Sequence, residues 1–126
     1  LHYPFKVARE GGKYSMFGYK GKQVRDNIHS FDVISAFETF ANDPRPGEVY
    51  NLGGCRGNSC SMLEAIHAAQ ELTGNTIQTT YVDQNRKGDH MCYISDMGKF
   101  RQHYPGWSIT KPLAQIYKEL VEGAKE

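Results

Sequence analysis

Residues able to hold an anion cluster in three short tracts of this 126-residue chain. They are Gln23-Val24-Arg25-Asp26, Tyr50-Asn51-Leu52-Gly53-Gly54 and Arg86-Lys87-Gly88-Asp89. By hydropathy pattern each lies at a strand end or in a loop, and ligands of open α/β sheets gather beyond the carboxyl ends of strands. An Arg side chain offers a planar fork that matches phosphate or carboxylate with two bonds. Arg25 and Arg86, from separate tracts, could converge on one pyrophosphate, with Asp89 and Asn51 free to take ribose hydroxyls. Taken singly, each tract has a plainer reading: glycines after a strand mark a turn, and Arg86 is a solvated charge.

The first tract belongs to a longer polar stretch, Gly21 to Asp32, that reads as a short strand running into a helix. A strand sends alternate side chains to opposite faces. Gln23, Arg25, Asn27 and His29 then share one face, and Val24, Asp26 and Ile28 the other. Ser30 stands where a helix N-cap belongs, with Asp32 in the first turn to suit the dipole. The competing reading is an edge strand with a solvated face. His29 has the intrinsic pKa of a general base, but a positioned hydrogen bond is the commoner duty for such a residue. Asp26 and Asp32 are expected to shape the strand-to-helix turn, and Trp107 to plug the core.

Those residues need a scaffold, and the length fits one domain over residues 1–126. Hydrophobic residues make up 39%, with eight Tyr and six Phe available to fill a core. The formal net charge of +1 and the absence of a basic stripe point away from nucleic acid. No apolar run approaches the roughly 20 residues that span a bilayer, and no signal peptide is evident. The three cysteines, Cys55, Cys60 and Cys92, do not form a complete disulfide framework, and the five His are scattered. Free thiols in a reducing cytoplasm and no metal are expected.

The pattern predicts helices over 3–10, 31–42, 61–73, 96–103 and from Pro112 onward. It predicts strands over 14–17, 48–52, 77–82 and 91–94, besides the polar strand already described. Ser61 with Glu64 is a capping-box signature, and Gly11, Gly74 and Pro105-Gly106 are stops. Expected inner stripes are Val33, Ala36, Phe37 and Phe40; Ile66, Ala69 and Leu72; and Leu113, Ile116, Tyr117, Leu120 and Val121. The alternation indicates a mixed α/β fold.

In their order the tracts resemble the C-terminal portion of the extended short-chain dehydrogenases/reductases, more narrowly the NAD-dependent nucleotide-sugar epimerases and dehydratases. The resemblance rests on Val24-Arg25-Asp26-x-Ile28-His29-x-x-Asp32, Tyr50-Asn51-x-Gly53-Gly54, Ser61-x-x-Glu64 and Arg86-x-Gly88-Asp89. Asp96-x-x-Lys99 and Gly106-Trp107-Ser108 complete it. The string Gly18-Tyr19-Lys20-Gly21-Lys22-Gln23-Val24-Arg25-Asp26 is similar to the CDP-paratose (CDP-tyvelose) 2-epimerase branch. Asn27 replaces the aromatic found there in galactose epimerases. The resemblance implies the last strands and helices of a Rossmann-like fold with its small α/β substrate lobe, and no N-terminal dinucleotide-binding half. It implies that Arg25 and Arg86 contact a nucleotide diphosphate, that Asp89 lies near its ribose, and that Asn51 lies near the cleft. The ligand it implies is a CDP- or UDP-sugar.

Two parts of the family's chemistry are missing from these residues. One is the Gly-rich turn that cradles the NAD pyrophosphate; Gly53-Gly54-Cys55-Arg56-Gly57 has the wrong spacing. The other is a Tyr-x-x-x-Lys pair, since none of the eight Tyr has a Lys four residues on. No catalytic residue and no cofactor are therefore assigned to this chain, with NAD expected in the full-length family. The chain begins with Leu1 rather than Met, and an upstream portion or a tag is expected before it. A stand-alone, non-enzymatic binding module derived from the family is the alternative, and an unrelated small α/β binding domain a third reading. With half of the parent sheet gone, such a module leaves strand edges and apolar faces uncovered, so a homo-oligomer is expected.

Overall fold

A computed structural model describes residues 1–123 of the chain. The elements are α1 (His2–Glu10), β1 (Lys13–Phe17), β2 (Val24–Asp26), α2 (Ser30–Asn42), β3 (Ser59–Ser61), α3 (Met62–Thr73), β4 (Gln78–Val82), β5 (Cys92–Tyr93), α4 (Gly98–His103) and α5 (Leu113–Glu122). Single helical turns at Tyr19–Gly21 and Arg56–Asn58 precede β2 and β3. Two small sheets form. β1 and β4 pair in parallel, and β2 lies between antiparallel β3 and parallel β5.

The helices begin and end where local chemistry dictates. The Ser61 Oγ accepts from the Glu64 N–H at 3.2 Å, and a Glu64 carboxylate oxygen accepts from the Ser61 N–H at 2.6 Å. Two orphan donors at the start of α3 are thereby satisfied. Gly11 and Gly74 close α1 and α3 at φ 72°, a left-handed geometry that a side chain would strain. At α2 the N-cap is His29 rather than Ser30: its Nδ1 accepts from the Phe31 N–H at 2.9 Å. Pro112 is the N-cap of α5 and begins it without a side-chain cap.

The apolar residues divide between two cores. Phe5, Val7, Ala8, Tyr14, Ile66, Ala69 and Ile77 form one, where α1, α3 and α5 meet β1. Ala36, Met97, Phe100, Tyr104 and Trp107 form the other, between α2 and the α4 region. Trp107 fills this second core and donates its indole N–H to Ser35 Oγ at 2.9 Å. Two expected core positions face outward instead: Leu72 is 49% exposed and Phe37 64%. Their helices turn other residues of the same stripes inward, and nothing among the described residues covers these two.

Glu48–Leu52, expected as a short strand, forms none. A strand is a pairing, and within the described residues no other strand runs beside this segment. Val49 is consequently 79% exposed.

Two buried polar residues hold the entry to α5. Asn58 donates to the Lys111 carbonyl at 3.0 Å and accepts from the Leu113 N–H at 3.1 Å. Asp32 is fully buried and accepts from the Thr110 N–H at 3.0 Å, the Thr110 hydroxyl at 2.7 Å and the Lys111 N–H at 2.9 Å. It is a tertiary clamp as well as a first-turn anion. Burial by itself raises its pKa, but the hydrogen bonds from Thr110 and Lys111 outweigh that and hold the carboxyl below its ordinary value.

Asp32→Ala should reduce unfolding free energy by about 3 kcal/mol at pH 7, the scale of hydrogen bonds lost from a charged acceptor. Urea denaturation measures it. Because the folded-state pKa is depressed, the contribution is complete above the unfolded value of about 3.9 and is lost as pH falls through the folded value. The gap between wild type and variant should therefore narrow in acid.

Candidate functional site

The cleft is built on β2, which is paired on both sides. Arg25 sits opposite Cys60 of β3 and Tyr93 of β5. That double ladder fixes the direction in which the guanidinium leaves the sheet. Its Nη1 donates to the Val24 carbonyl at 2.7 Å, and Nη2 donates to the Asp89 carboxylate and to the His90 carbonyl. Asp89 is delivered by a tight turn in which its N–H donates to the Arg86 carbonyl at 3.0 Å, with Gly88 at φ +77°. Tyr19 buttresses the turn from the other side, its hydroxyl donating to the Asp89 carbonyl at 3.2 Å.

Arg86 starts the same turn. Its guanidinium carbon stands 5.0 Å from the centroid of the Phe17 ring, within the range where the π face attracts a cation. Arg25, Arg86 and Asp89 thus line one cavity of about 200 Å³, together with Tyr14, Phe17, Gln23 and Met62. Tyr14 donates to the Met62 sulfur at 3.0 Å. Burial pushes the Tyr14 pKa up, and the positive charge of Arg86 opposes that in part. The phenol stays protonated and forms a neutral, half-apolar wall. Gln23 is buried and donates its amide to the Phe17 carbonyl at 3.3 Å, which ties β2 to β1 across the cavity.

Of the four residues singled out from sequence, three come together and Asn51 does not. Asn51 lies in the exposed, unpaired segment and is not in the cavity wall. Phe17 and Tyr14 were not singled out. Their signal was the alternation of β1, which read only as a brief strand.

Asp26 and the two glycines explain the second tract. One Asp26 carboxylate oxygen accepts from the Cys55 N–H and the Ser95 N–H, both at 3.1 Å. A Cβ on Gly53 would fall 2.2 Å from Ser95 Oγ and 2.4 Å from that Asp26 oxygen, and one on Gly54 1.8 Å from the Asn27 carbonyl oxygen. The glycines are thus packed against backbone and side-chain atoms.

His29 is engaged at both ring nitrogens. Nδ1 accepts the Phe31 N–H, so Nε2 carries the proton and donates to Glu119 at 2.6 Å. Glu119 is held below its ordinary pKa by hydrogen bonds from Gln115 and from His29. This arrangement positions α2 against α5 and leaves no free ring nitrogen to take a proton from a ligand. Among the described residues no group of three His, Cys, Asp or Glu is placed to hold a metal ion.

Gly54→Ala should destabilise the protein by about 1–3 kcal/mol, as expected for overpacking against fixed backbone. Gly57→Ala, whose Cβ would meet open space, should change the melting temperature little. Thermal melts of both variants check this.

No family profile matches the chain. The CDP-paratose 2-epimerase of Salmonella typhi is 33% identical over 81 residues, covering 63% of this chain and 24% of that protein. The structure of a UDP-glucose 4-epimerase from Thermotoga maritima with UDP-glucose superposes with a TM-score of 0.80 at 28% identity. That of dTDP-glucose 4,6-dehydratase from Bacillus anthracis in complex with NAD gives 0.80 at 29%. Each superposition covers 95% of this chain and 37% of the other. The chain spans between about a quarter and just over a third of the length of the curated relatives it matches. Its ordered motifs, its parallel and mixed sheets and these likenesses give the chain the fold of the C-terminal portion of the extended short-chain dehydrogenases/reductases, and it is similar to the nucleotide-sugar epimerases and dehydratases among them.

Proposed function

We propose that residues 1–126 act as one unit, the nucleotide-sugar-binding portion of an NAD-dependent sugar epimerase or dehydratase, and that this portion is not catalytically complete by itself. The observation that carries the reading is the convergence of Arg25, Arg86 and Asp89, from two distant tracts, on one cavity beside β2. Arg25 and Arg86 supply two positive charges for a diphosphate, and Asp89 supplies a hydroxyl acceptor for the ribose. The ligand class is a CDP- or UDP-sugar. UDP-glucose in the Thermotoga structure supports the nucleotide diphosphate, and the Salmonella relative's name supports CDP. Asn51 joins the cleft only if its segment is ordered by a neighbouring strand. NAD and the proton-transfer pair belong to the rest of the fold, since this chain has neither the Gly-rich turn nor a Tyr-x-x-x-Lys pair. The free thiols at Cys55, Cys60 and Cys92 suit the cytoplasm.

A second reading, a non-enzymatic oligomeric module derived from the family, is favoured by one surface. Phe31, Ile34 and Phe37 run along one side of α2, 53%, 65% and 64% exposed. Beside them lies the unpaired segment Glu48–Leu52, with a groove of about 220 Å³ between the two. An apolar stripe next to an unpaired edge favours association.

Calorimetry with UDP- and CDP-sugars tests the first reading. Arg25→Ala and Arg86→Ala should each weaken binding by about 1.5–3 kcal/mol, the loss of a charge-assisted contact. A folded sample that takes up no nucleotide diphosphate would sink the reading. Light scattering tests the second surface. The chain should be a dimer or larger, and Ile34→Asp with Phe37→Asp should shift it toward monomer; a monomeric wild type would contradict the association.

A further inference from the structure

One polar side chain in the wall of the charged cavity is only half satisfied. Gln23 lines that cavity and is 9% exposed. Its Nε2 donates to the Phe17 carbonyl at 3.3 Å. Its Oε1 is the one buried side-chain oxygen or nitrogen, among the described residues, with no hydrogen-bond partner. Turning the amide over would set Oε1 against the Phe17 carbonyl oxygen, so the hydrogen-bond network assigns this orientation. The backbone is fixed on both sides. The Gln23 carbonyl accepts from the Met62 N–H at 3.2 Å, and the next N–H, of Val24, donates to the Met91 carbonyl at 2.9 Å. The nearby phenol is no donor for Oε1, because Tyr14 gives its proton to the Met62 sulfur. A buried acceptor without a donor is costly, and native structures hold few of them.

From this we infer that, granted the nucleotide-sugar reading proposed above, Gln23 is a specificity residue that selects a base carrying an amino group, cytosine over uracil or thymine. Besides its charged residues, the cavity wall holds Tyr14, Met16, Phe17 and Met62. Aromatic faces and thioethers suit a planar ring, so the base has a place beside Gln23. At its 4-position cytosine presents an N–H donor where thymine, like uracil, presents a carbonyl oxygen. Gln23 Oε1 can only accept. A cytosine amino group therefore satisfies it, whereas a 4-carbonyl sets oxygen against oxygen and leaves both unpaired. The imide N–H of uracil is flanked by two carbonyls, so an acceptor reaching for it meets oxygen on either side. Gln23 cannot answer a 4-carbonyl by flipping, because its Nε2 is engaged with Phe17. A site with a buried polar group rejects the analogue lacking the matching group far more strongly than an apolar pocket does. Arg25 and Arg86 meet the same diphosphate whatever the base, so they take no part in this choice.

The test uses the chain as it stands and three probes in calorimetry: CDP, UDP and the diphosphate of pyrimidin-2-one riboside, which is cytidine without its amino group. All three share the ribose and the diphosphate. Wild type should bind CDP at least tenfold more tightly than either of the others. In Gln23→Met, which keeps the length of the side chain and removes its amide, that preference should fall below threefold. A residue that only tied β2 to β1 would, when replaced, weaken all three probes alike and keep the preference. Circular dichroism and a melting curve confirm that the variant is folded, and the comparison of CDP with its amino-free analogue in wild type stands without it. If UDP or the amino-free analogue binds wild type as tightly as CDP, or if the preference persists in folded Gln23→Met, the assignment is wrong and the nucleotide-sugar reading survives. If folded wild type binds none of the three probes, the nucleotide-sugar reading fails and the assignment falls with it.

Discussion

The carboxylate of Asp26 brings three distant stretches to one place. A single oxygen accepts from Cys55 and from Ser95, residues 29 and 69 positions away. Gly53 must lack a side chain so that its backbone can close over that oxygen. With those loops anchored, β3 and β5 can flank β2, and only then is the direction of Arg25 fixed. A three-residue strand has little stability of its own. Here it owes its place to side-chain acceptors at its end more than to its own ladder. The same device recurs one turn on, where Asp32 binds the backbone entering α5. Both acidic residues serve as acceptors for backbone N–H groups, and among the described residues neither forms a salt bridge.

That explains which features could be read from the residues alone. The capping box at Ser61 and Glu64, the glycine stops and the charged strand running into α2 are local chemistry, and local chemistry leaves a local signature. Arg25, Arg86 and Asp89 stood out because two forks and one carboxylate, on a strand and in a loop, are groups suited to one kind of ligand. Their meeting in one cavity depends on β1 pairing with β4 and β2 with β5, which periodicity does not report. The clamp at Asp32 was invisible for the same reason: its donors are 78 and 79 positions away. His29 displaced Ser30 as the cap of α2 because its ring is also held by Glu119 from α5, a partner that no local preference anticipates.

The segment Glu48–Leu52 shows the opposite failure. Its Val49 and Tyr50 suit a strand, yet no strand forms, because propensity supplies half of a sheet and a neighbour the other half. The outward Phe37 and Leu72 carry the same lesson for helices. A stripe at helical spacing records that an apolar face exists, not that this chain covers it. The unpaired segment and the bare side of α2 lie together, flanking one groove. That geometry separates the apolar surface from the charged cavity, so association at one need not obstruct a ligand at the other.

The charged cavity has its own internal balance. A formal charge of +1 gives the chain no strong overall field, so the positive potential at the cavity is local to its two guanidinium groups. Asp89 against Arg25 offsets one of them and keeps Arg25 in position, through the strand on one side and the tight turn on the other. Holding Arg86 against Phe17 does the same for the second charge without neutralising it, because a π face attracts a cation but carries no net charge to compete with phosphate. One arginine is thus screened by a carboxylate and the other is not, and that asymmetry of partners gives the cavity an electrostatic polarity.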